Sequence, residues 1–196
     1  WAIPFNVKPR TFSIQQKGQI HSVSFDAMAS PCEILLESKN LKLVQNVAEK
    51  ATAEVWRIQD KYSRYQGESL CSKINGSAGR AVPIDQETFD ILSFAEQCFQ
   101  ISLGMFDITS GVLRKVWHFD GSQNVPSETE INTILPCVGW EKVQWSKQQV
   151  TLPQEMELDF GGIGKEYAVD KVTQLIKQVS ECSALINLGG DLAVSL

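Results

Sequence analysis

Between Leu41 and Tyr62 the apolar residues Val44, Ala48, Ala51, Val55, Ile58 and Tyr62 recur at alternating steps of four and three, the spacing of a long helix that buries one stripe. Such a helix needs an apolar layer to lie on, and the flanking sequence offers one. Two apolar runs, 19–25 and 32–36, enclose Met28-Ala29-Ser30-Pro31 and read as strand, turn, strand. Further strands are predicted at 80–83, 142–145, 149–152, 156–158, 183–188 and 192–196. Further helices are predicted at 86–102, ended by Leu103-Gly104, and at 163–179, with Ala168, Val172, Leu175 and Val179 as its stripe. The strands at 142–145, 149–152 and 156–158 are separated by turn-sized gaps, which favours antiparallel pairing, while the helices come in separate blocks. The expected fold class is α+β, an antiparallel or mixed sheet packed with helices. Residues 1–17, polar and punctuated by proline, read as an extended arm ahead of one domain at 18–196.

Composition narrows the function classes. The 196 residues are 43% hydrophobic and 21% charged, which excludes collagen-like, disordered and coiled-coil chains. Eighteen basic against 23 acidic residues, with no basic run, would repel a nucleic-acid backbone. Cys32, Cys71, Cys98, Cys137 and Cys182 lie far apart and supply no zinc-ligand pair. An odd count leaves at least one thiol unpaired, a pointer toward a reducing compartment that the periplasm can also satisfy. No apolar stretch reaches the roughly 20 residues that span a bilayer. The sequence opens on Trp1 rather than methionine, so it is silent about a removed leader.

Chemistry concentrates in three places. In Leu158-Asp159-Phe160-Gly161-Gly162-Ile163-Gly164-Lys165-Glu166-Tyr167 an apolar strand runs through three glycines into a helix. Glycines admit close backbone approach, and a helix start offers unpaired N–H groups to a phosphate. A tight strand-to-helix turn would have the same sequence, and neither standard nucleotide fingerprint fits: Asp159 and Glu166 break a P-loop, and Tyr167 takes the third glycine's place of a dinucleotide fold. Gly104-Met105-Phe106-Asp107-Ile108-Thr109-Ser110-Gly111 carries an acid, two hydroxyls and glycines, suited to sugar or base contacts or to capping a helix at 111–117. Ile186-Asn187-Leu188-Gly189-Gly190-Asp191 is a hairpin signal. His21 and His118 have no partnered acid, and no nucleophile elbow occurs, so a hydrolase triad has no support.

Five blocks taken in order resemble the ApbE-type FAD:protein FMN transferases: Met28-Ala29-Ser30-Pro31; Ser63-Arg64-Tyr65-Gln66-Gly67-Glu68-Ser69 with Ile74-Asn75; residues 104–111 with Trp117; residues 159–165 with Ala168-Val169-Asp170; and residues 186–191. The resemblance covers roughly residues 20–196. It implies a Mg²⁺-dependent flavin transferase that takes FAD as substrate, joins FMN to a threonine hydroxyl of a partner protein, and releases AMP. The implied acceptors are flavin-carrying subunits of membrane redox complexes, and the implied location is the periplasm or cell envelope, with the cytoplasm left open. By matching position, Met28 and Tyr65 would contact the flavin nucleotide, and Met105, Phe106 and Asp107 would line its adenosine side. Asp159 and Lys165 would hold FAD at the glycine loop, and the Gly162 carbonyl would be a metal ligand. The resemblance marks no catalytic residue within the sequence.

Three departures from the family pattern carry expectations. Ala29-Ser30 stands for the usual Gly-Thr, and Gly162 for a frequent Ala. The sequence stops at Leu196, before the segment where the family carries further metal ligands and a histidine proposed for catalysis. On that count the 196 residues alone are expected to bind Mg²⁺ and FAD weakly and not to transfer FMN. An FAD-binding module without turnover and a structural fragment are the alternatives to a transferase.

Overall fold

The structure, a computed structural model, describes residues 10–118 and 125–196. Its elements run β1 (Phe12–Lys17), β2 (Ile20–Ala27), β3 (Ser30–Glu37), α1 (Leu41–Tyr62), α2 (Leu70–Asn75), β4 (Ala81–Pro83), α3 (Gln86–Ile101), α4 (Glu128–Ile134), β5 (Gln144–Trp145), β6 (Gln149–Thr151), α5 (Gly164–Val179), β7 (Ala184–Leu188) and β8 (Asp191–Ser195). Short 3-10 turns lie at Gly111–Lys115, Leu135–Cys137, Trp140–Lys142 and Phe160–Gly162. The α+β class expected from the sequence is the one observed. Two compact units divide the chain: residues up to Gln59 together with Gly164–Leu196, and Asp60–Ile163.

The first unit is built on a five-stranded sheet in the order β1-β2-β3-β7-β8, each neighbouring pair antiparallel. Strand alternation puts every second side chain on one face, and the registers align these into rows. One row runs Ile14, Val23, Ile34, Ile186, Ala193, and the next Phe12, Phe25, Cys32, Leu188, Asp191. Val23, Ile34 and Ile186 are fully buried, each contributing roughly 1.5–3 kcal/mol by leaving water. His21 belongs to a third row and is a core residue, its Nδ1 without a hydrogen-bond partner. Helix α5 lies against β7 and β8. Helix α1 buries Val44, Ala48, Ala51, Val55, Ile58 and Tyr62, as its spacing predicts, and Val47 besides. It is tied to the sheet by Trp56, whose Nε1 donates to the Asp26 carbonyl at 3.0 Å and whose ring meets Phe25 edge-on. Of the arm expected at 1–17, residues 12–17 are edge strand β1, and residues 1–9 lie outside the described residues.

The β2–β3 turn consists of Met28 and Ala29, at φ 50° and 57°. A two-residue turn with both φ positive matches the twist of a hairpin but costs a residue with a Cβ about 1–2 kcal/mol. The Met28 N–H is held by the Gln59 Oε1 at 2.7 Å. Replacing Ala29 by glycine should therefore stabilise the protein by about 0.5–1 kcal/mol, the relief of strain less glycine's greater chain entropy. Urea unfolding measures it, and an unmoved midpoint would show the turn to be unstrained.

The second unit contains the small antiparallel sheet β4-β6-β5 and the core residues Ile74, Ile91, Leu92, Val112, Val150, Leu152, Leu158 and Phe160. Asp85 caps α3 by accepting from the Thr88 N–H, and Lys61 binds Asp85 and Glu87, each at 2.5 Å. Burial pushes the Asp85 carboxyl up, but Lys61 and Thr88 outweigh it and hold the group at about 2. Helix α3 stops where Leu103 and Gly104 turn left-handed, at φ 55° and 82°, so the predicted stop signal acts through both residues. Two expectations are corrected here. Residues 156–158 do not join a sheet, making instead a single parallel bridge between Ser110 and Glu157, and the helix expected at 111–117 is the 3-10 turn Gly111–Lys115. The short helices α2 and α4 are additional to the expected elements.

Candidate functional site

The glycine run is divided between the units at Ile163 and Gly164. In the second unit, Asp159 opens the turn: its Oδ1 accepts from the Gly161 N–H at 2.9 Å, the short side-chain bond that lets an aspartate start a helical turn. Its Oδ2 lies 2.7 Å from Arg64 Nη1. Arg64 Nη2 in turn donates to the Tyr65 hydroxyl at 2.9 Å, and the guanidinium lies 5.0 Å from the centre of the Tyr65 ring. Burial works against the Arg64 charge, and the Tyr65 hydroxyl and Asp159 carboxylate more than offset it. Tyr65 itself is 65% exposed.

The 104–111 block lies alongside this turn. The Asp159 N–H donates to the Ile108 carbonyl at 2.8 Å, and Ser110 bridges to Glu157. A Cβ on Gly162 would lie 3.0 Å from Phe106 Cε2, so the Phe106 ring rests on the glycine backbone. Met105 is 89% exposed. Asp107 has a different task. Its Oδ1 accepts from the Thr109 N–H and hydroxyl, each at 2.7 Å, and its Oδ2 from the Trp140 N–H at 3.0 Å, while the Gly139 N–H donates to Thr109 Oγ1 at 2.8 Å. That carboxylate is occupied in pinning the 139–140 turn, so it shapes the surface beside Phe106 and Met105 with both oxygens already engaged.

Of the residues expected to contact ligand, Tyr65, Phe106, Asp159 and Gly162 thus stand around one turn of the second unit, with Met105 on the adjoining loop. Arg64, whose place in a polar loop carries no periodic signal, is the cation of this cluster. Cys71 lies beneath, its thiol pushed up to about 12 by burial and by the Asp159 carboxylate, and so protonated at neutral pH.

Met28 and Lys165 belong to the first unit. Lys165 stands in the first turn of α5, and the Gly189-Gly190 turn joins β7 to β8. A Cβ on Gly189 would lie 3.2 Å from Lys165 Nζ and 2.6 Å from Ser30 Cβ. Three of the five sequence blocks, those holding Ser30, Lys165 and Gly189, therefore converge at one point. Asn187 Oδ1 fixes the turn by accepting from the Gly190 N–H at 2.9 Å. A lysine ammonium over an exposed glycine turn can hold a phosphate oxygen.

Gly162, whose carbonyl is expected as a metal ligand, lies in the 3-10 turn Phe160–Gly162. No group of three His, Cys, Asp or Glu side chains suited to a metal occurs among the described residues. Magnesium takes about six oxygens in strict octahedral geometry, which these residues do not assemble.

Comparison with known proteins fits this arrangement. The ApbE family profile matches residues 28–195. The FAD:protein FMN transferase of Klebsiella pneumoniae (strain 342) is 30% identical over 179 residues, 88% of this chain and 55% of that protein. The FAD:protein FMN transferase of Salmonella typhimurium is 25% identical over 188 residues, 84% of this chain and 53% of that protein. The crystal structure of the ApbE protein from Thermotoga maritima superposes with a TM-score of 0.82 at 27% identity, covering 90% of this chain and 59% of that one. The Pseudomonas stutzeri flavinyl transferase ApbE, in its apo form, shares the fold with a TM-score of 0.79 at 22% identity, covering 92% and 62%. The two units and their glycine turns are thus those of an α+β flavin-transferase fold. The chain belongs to the ApbE family, and it spans about half the length of the curated relatives it matches.

Proposed function

We propose that this chain is the FAD-holding part of a flavin transferase that moves FMN from FAD to a threonine hydroxyl of a partner protein and releases AMP. The observation that carries the reading is the Tyr65–Arg64–Asp159 cluster at the glycine turn, in a member of a family whose curated relatives are named FAD:protein FMN transferases. The exposed Tyr65 suits an aromatic ring of the dinucleotide, and Arg64 suits its diphosphate. The Phe106 ring on Gly162 and the exposed Met105 offer an apolar surface to the second ring system. Within the first unit, Lys165 beside the Gly189 turn suits a phosphate oxygen, and Met28 is carried over from the family blocks as a contact of the flavin nucleotide.

In the reaction the threonine oxygen bonds to the flavin-side phosphorus, the bond from that phosphorus to the bridging oxygen breaks, and AMP leaves with that oxygen. The threonine proton passes to solvent or to a base outside the residues named. The chain's part is to hold the diphosphate still and to neutralise its charge, which is where most phosphoryl-transfer catalysis lies. Magnesium would arrive with the dinucleotide, whose phosphates supply oxygens that the described residues lack. The acceptors we propose are flavin-carrying subunits of redox complexes, at the cell envelope.

The test incubates protein containing this chain with FAD, Mg²⁺ and a threonine-bearing acceptor. The expected result is a gain of one FMN in the acceptor's mass with one AMP released, both abolished by EDTA. FAD bound and recovered intact would replace the transferase by a binding module.

A further inference from the structure

Leu158 is fully buried and belongs to no strand of the described residues. Its neighbours Glu157 and Asp159 use their backbone on one side, toward Ser110 and Ile108. On the other side stands a side chain: Asn75 Oδ1 accepts from the Leu158 N–H at 2.8 Å, and Asn75 Nδ2 donates to the Leu158 carbonyl at 3.0 Å. That is the pair of bonds an adjacent strand would make, supplied by one amide group. Only Asn or Gln has a donor and an acceptor in this fork, and Asn75 ends α2, close enough for the shorter one.

The start of α2 is bound to the residues that precede it. Ser69, its cap, donates to the Ser63 carbonyl at 2.5 Å, and Ser72 Oγ donates to the Arg64 carbonyl at 3.4 Å. Arg64 then reaches Asp159 through its side chain. The contacts close a ring from Asp159 through Arg64, α2 and Asn75 to Leu158, whose next residue is Asp159.

Resting on the FAD reading above, we infer that Asn75 is a positioning residue: it fixes the Leu158 backbone so that Asp159 meets Arg64 and the diphosphate-binding turn is set before ligand arrives. Asn75 touches neither Arg64 nor ligand in this role and acts through Asp159. A residue that merely supported the fold would weaken binding whether Asp159 were present or not.

The experiment is a double-mutant cycle on FAD affinity, read by quenching of flavin fluorescence, with Asn75→Ala and Asp159→Ala singly and together. Asn75→Ala is expected to weaken FAD binding about tenfold when Asp159 is present and less than about twofold when it is absent. Equal losses in both backgrounds overturn the inference, as does full affinity in Asn75→Ala. If Asn75→Ala does not fold, Asn75→Asp, which keeps the acceptor for the Leu158 N–H, takes its place in the cycle. If wild-type protein does not bind FAD, the functional reading falls, and the same cycle read by urea unfolding decides the inference: coupled stabilities uphold it and additive ones overturn it.

Discussion

Alanine at Gly111 is expected to destabilise the protein by about 2–3 kcal/mol and to weaken FAD binding at least about tenfold, although the residue would touch no ligand itself. The cause is the approach of two backbones. A Cβ at this position would lie 2.9 Å from Asp159 Cβ, 3.1 Å from the Glu157 carbonyl oxygen and 3.2 Å from the Asp159 nitrogen. Two of those three atoms are backbone and cannot swing aside as a side chain could. Relief would come from parting the 104–111 block from the 157–162 segment, which breaks the bond from the Asp159 N–H to the Ile108 carbonyl and moves Asp159 off Arg64. Gly67→Ala, with nothing within 4 Å of its Cβ, is the control and should leave the unfolding midpoint in place. Unfolding in urea beside an FAD titration measures both effects. A Gly111→Ala protein of full stability and affinity would mean the two segments can separate freely, against the packing described.

How much of this was legible beforehand depended on whether the signal was local. Helix α1 was readable to the residue because 22 positions repeat one stripe. The run from strand through glycines into α5 was readable because three residue types change in turn. Strand β1 was hidden because an edge strand buries little; only Phe12 and Ile14 of its six residues are even partly covered. Helix α2, at six residues, is shorter than two turns and shows no stripe. Helix α4 did carry a signal, the capping box of Ser127 with Glu130, which the structure contains in both directions. At 156–158 the alternation of Met, Glu and Leu was true to an extended backbone, but the neighbour that satisfies it is the Asn75 side chain, 83 residues away in sequence.

The site divides along the same line. Position in the family blocks singles out Tyr65, Phe106, Asp159 and Gly162, and the structure stands them around one turn. Asp107 has the chemistry of a ligand contact, and its carboxylate also accepts from Thr109 and Trp140. That outcome depends on a turn more than 30 residues distant, which no local pattern encodes. Arg64 escaped for the same reason: its partner Asp159 is distant in sequence, and an arginine in a polar loop looks like any solvated charge. Long-range pairing, then, sets the surroundings of both Asp107 and Arg64.

Alanine at Gly189 should be the most damaging single methyl group in the first unit, costing about 3 kcal/mol. Two penalties add. Gly189 sits at φ 67°, a region that costs an L-residue about 1–2 kcal/mol, and its Cβ would fall 2.6 Å from Ser30 Cβ. Ser30 belongs to β3, held in register between β2 and β7, so it has little room to retreat. The same Cβ would come 3.2 Å from Lys165 Nζ, and a lysine tip can move where a strand cannot. The ammonium should therefore be displaced from the turn, and FAD affinity should fall further than the loss of stability explains. The separation of the two effects is measurable. Lys165→Met removes the charge and leaves Gly189 untouched, so it should lower FAD affinity while the thermal midpoint stays within about 2 °C. Gly189→Ala should lower both, the midpoint by roughly 10 °C for a protein of this size. If Gly189→Ala shifts the midpoint but binds FAD as tightly as wild type, Lys165 holds no phosphate.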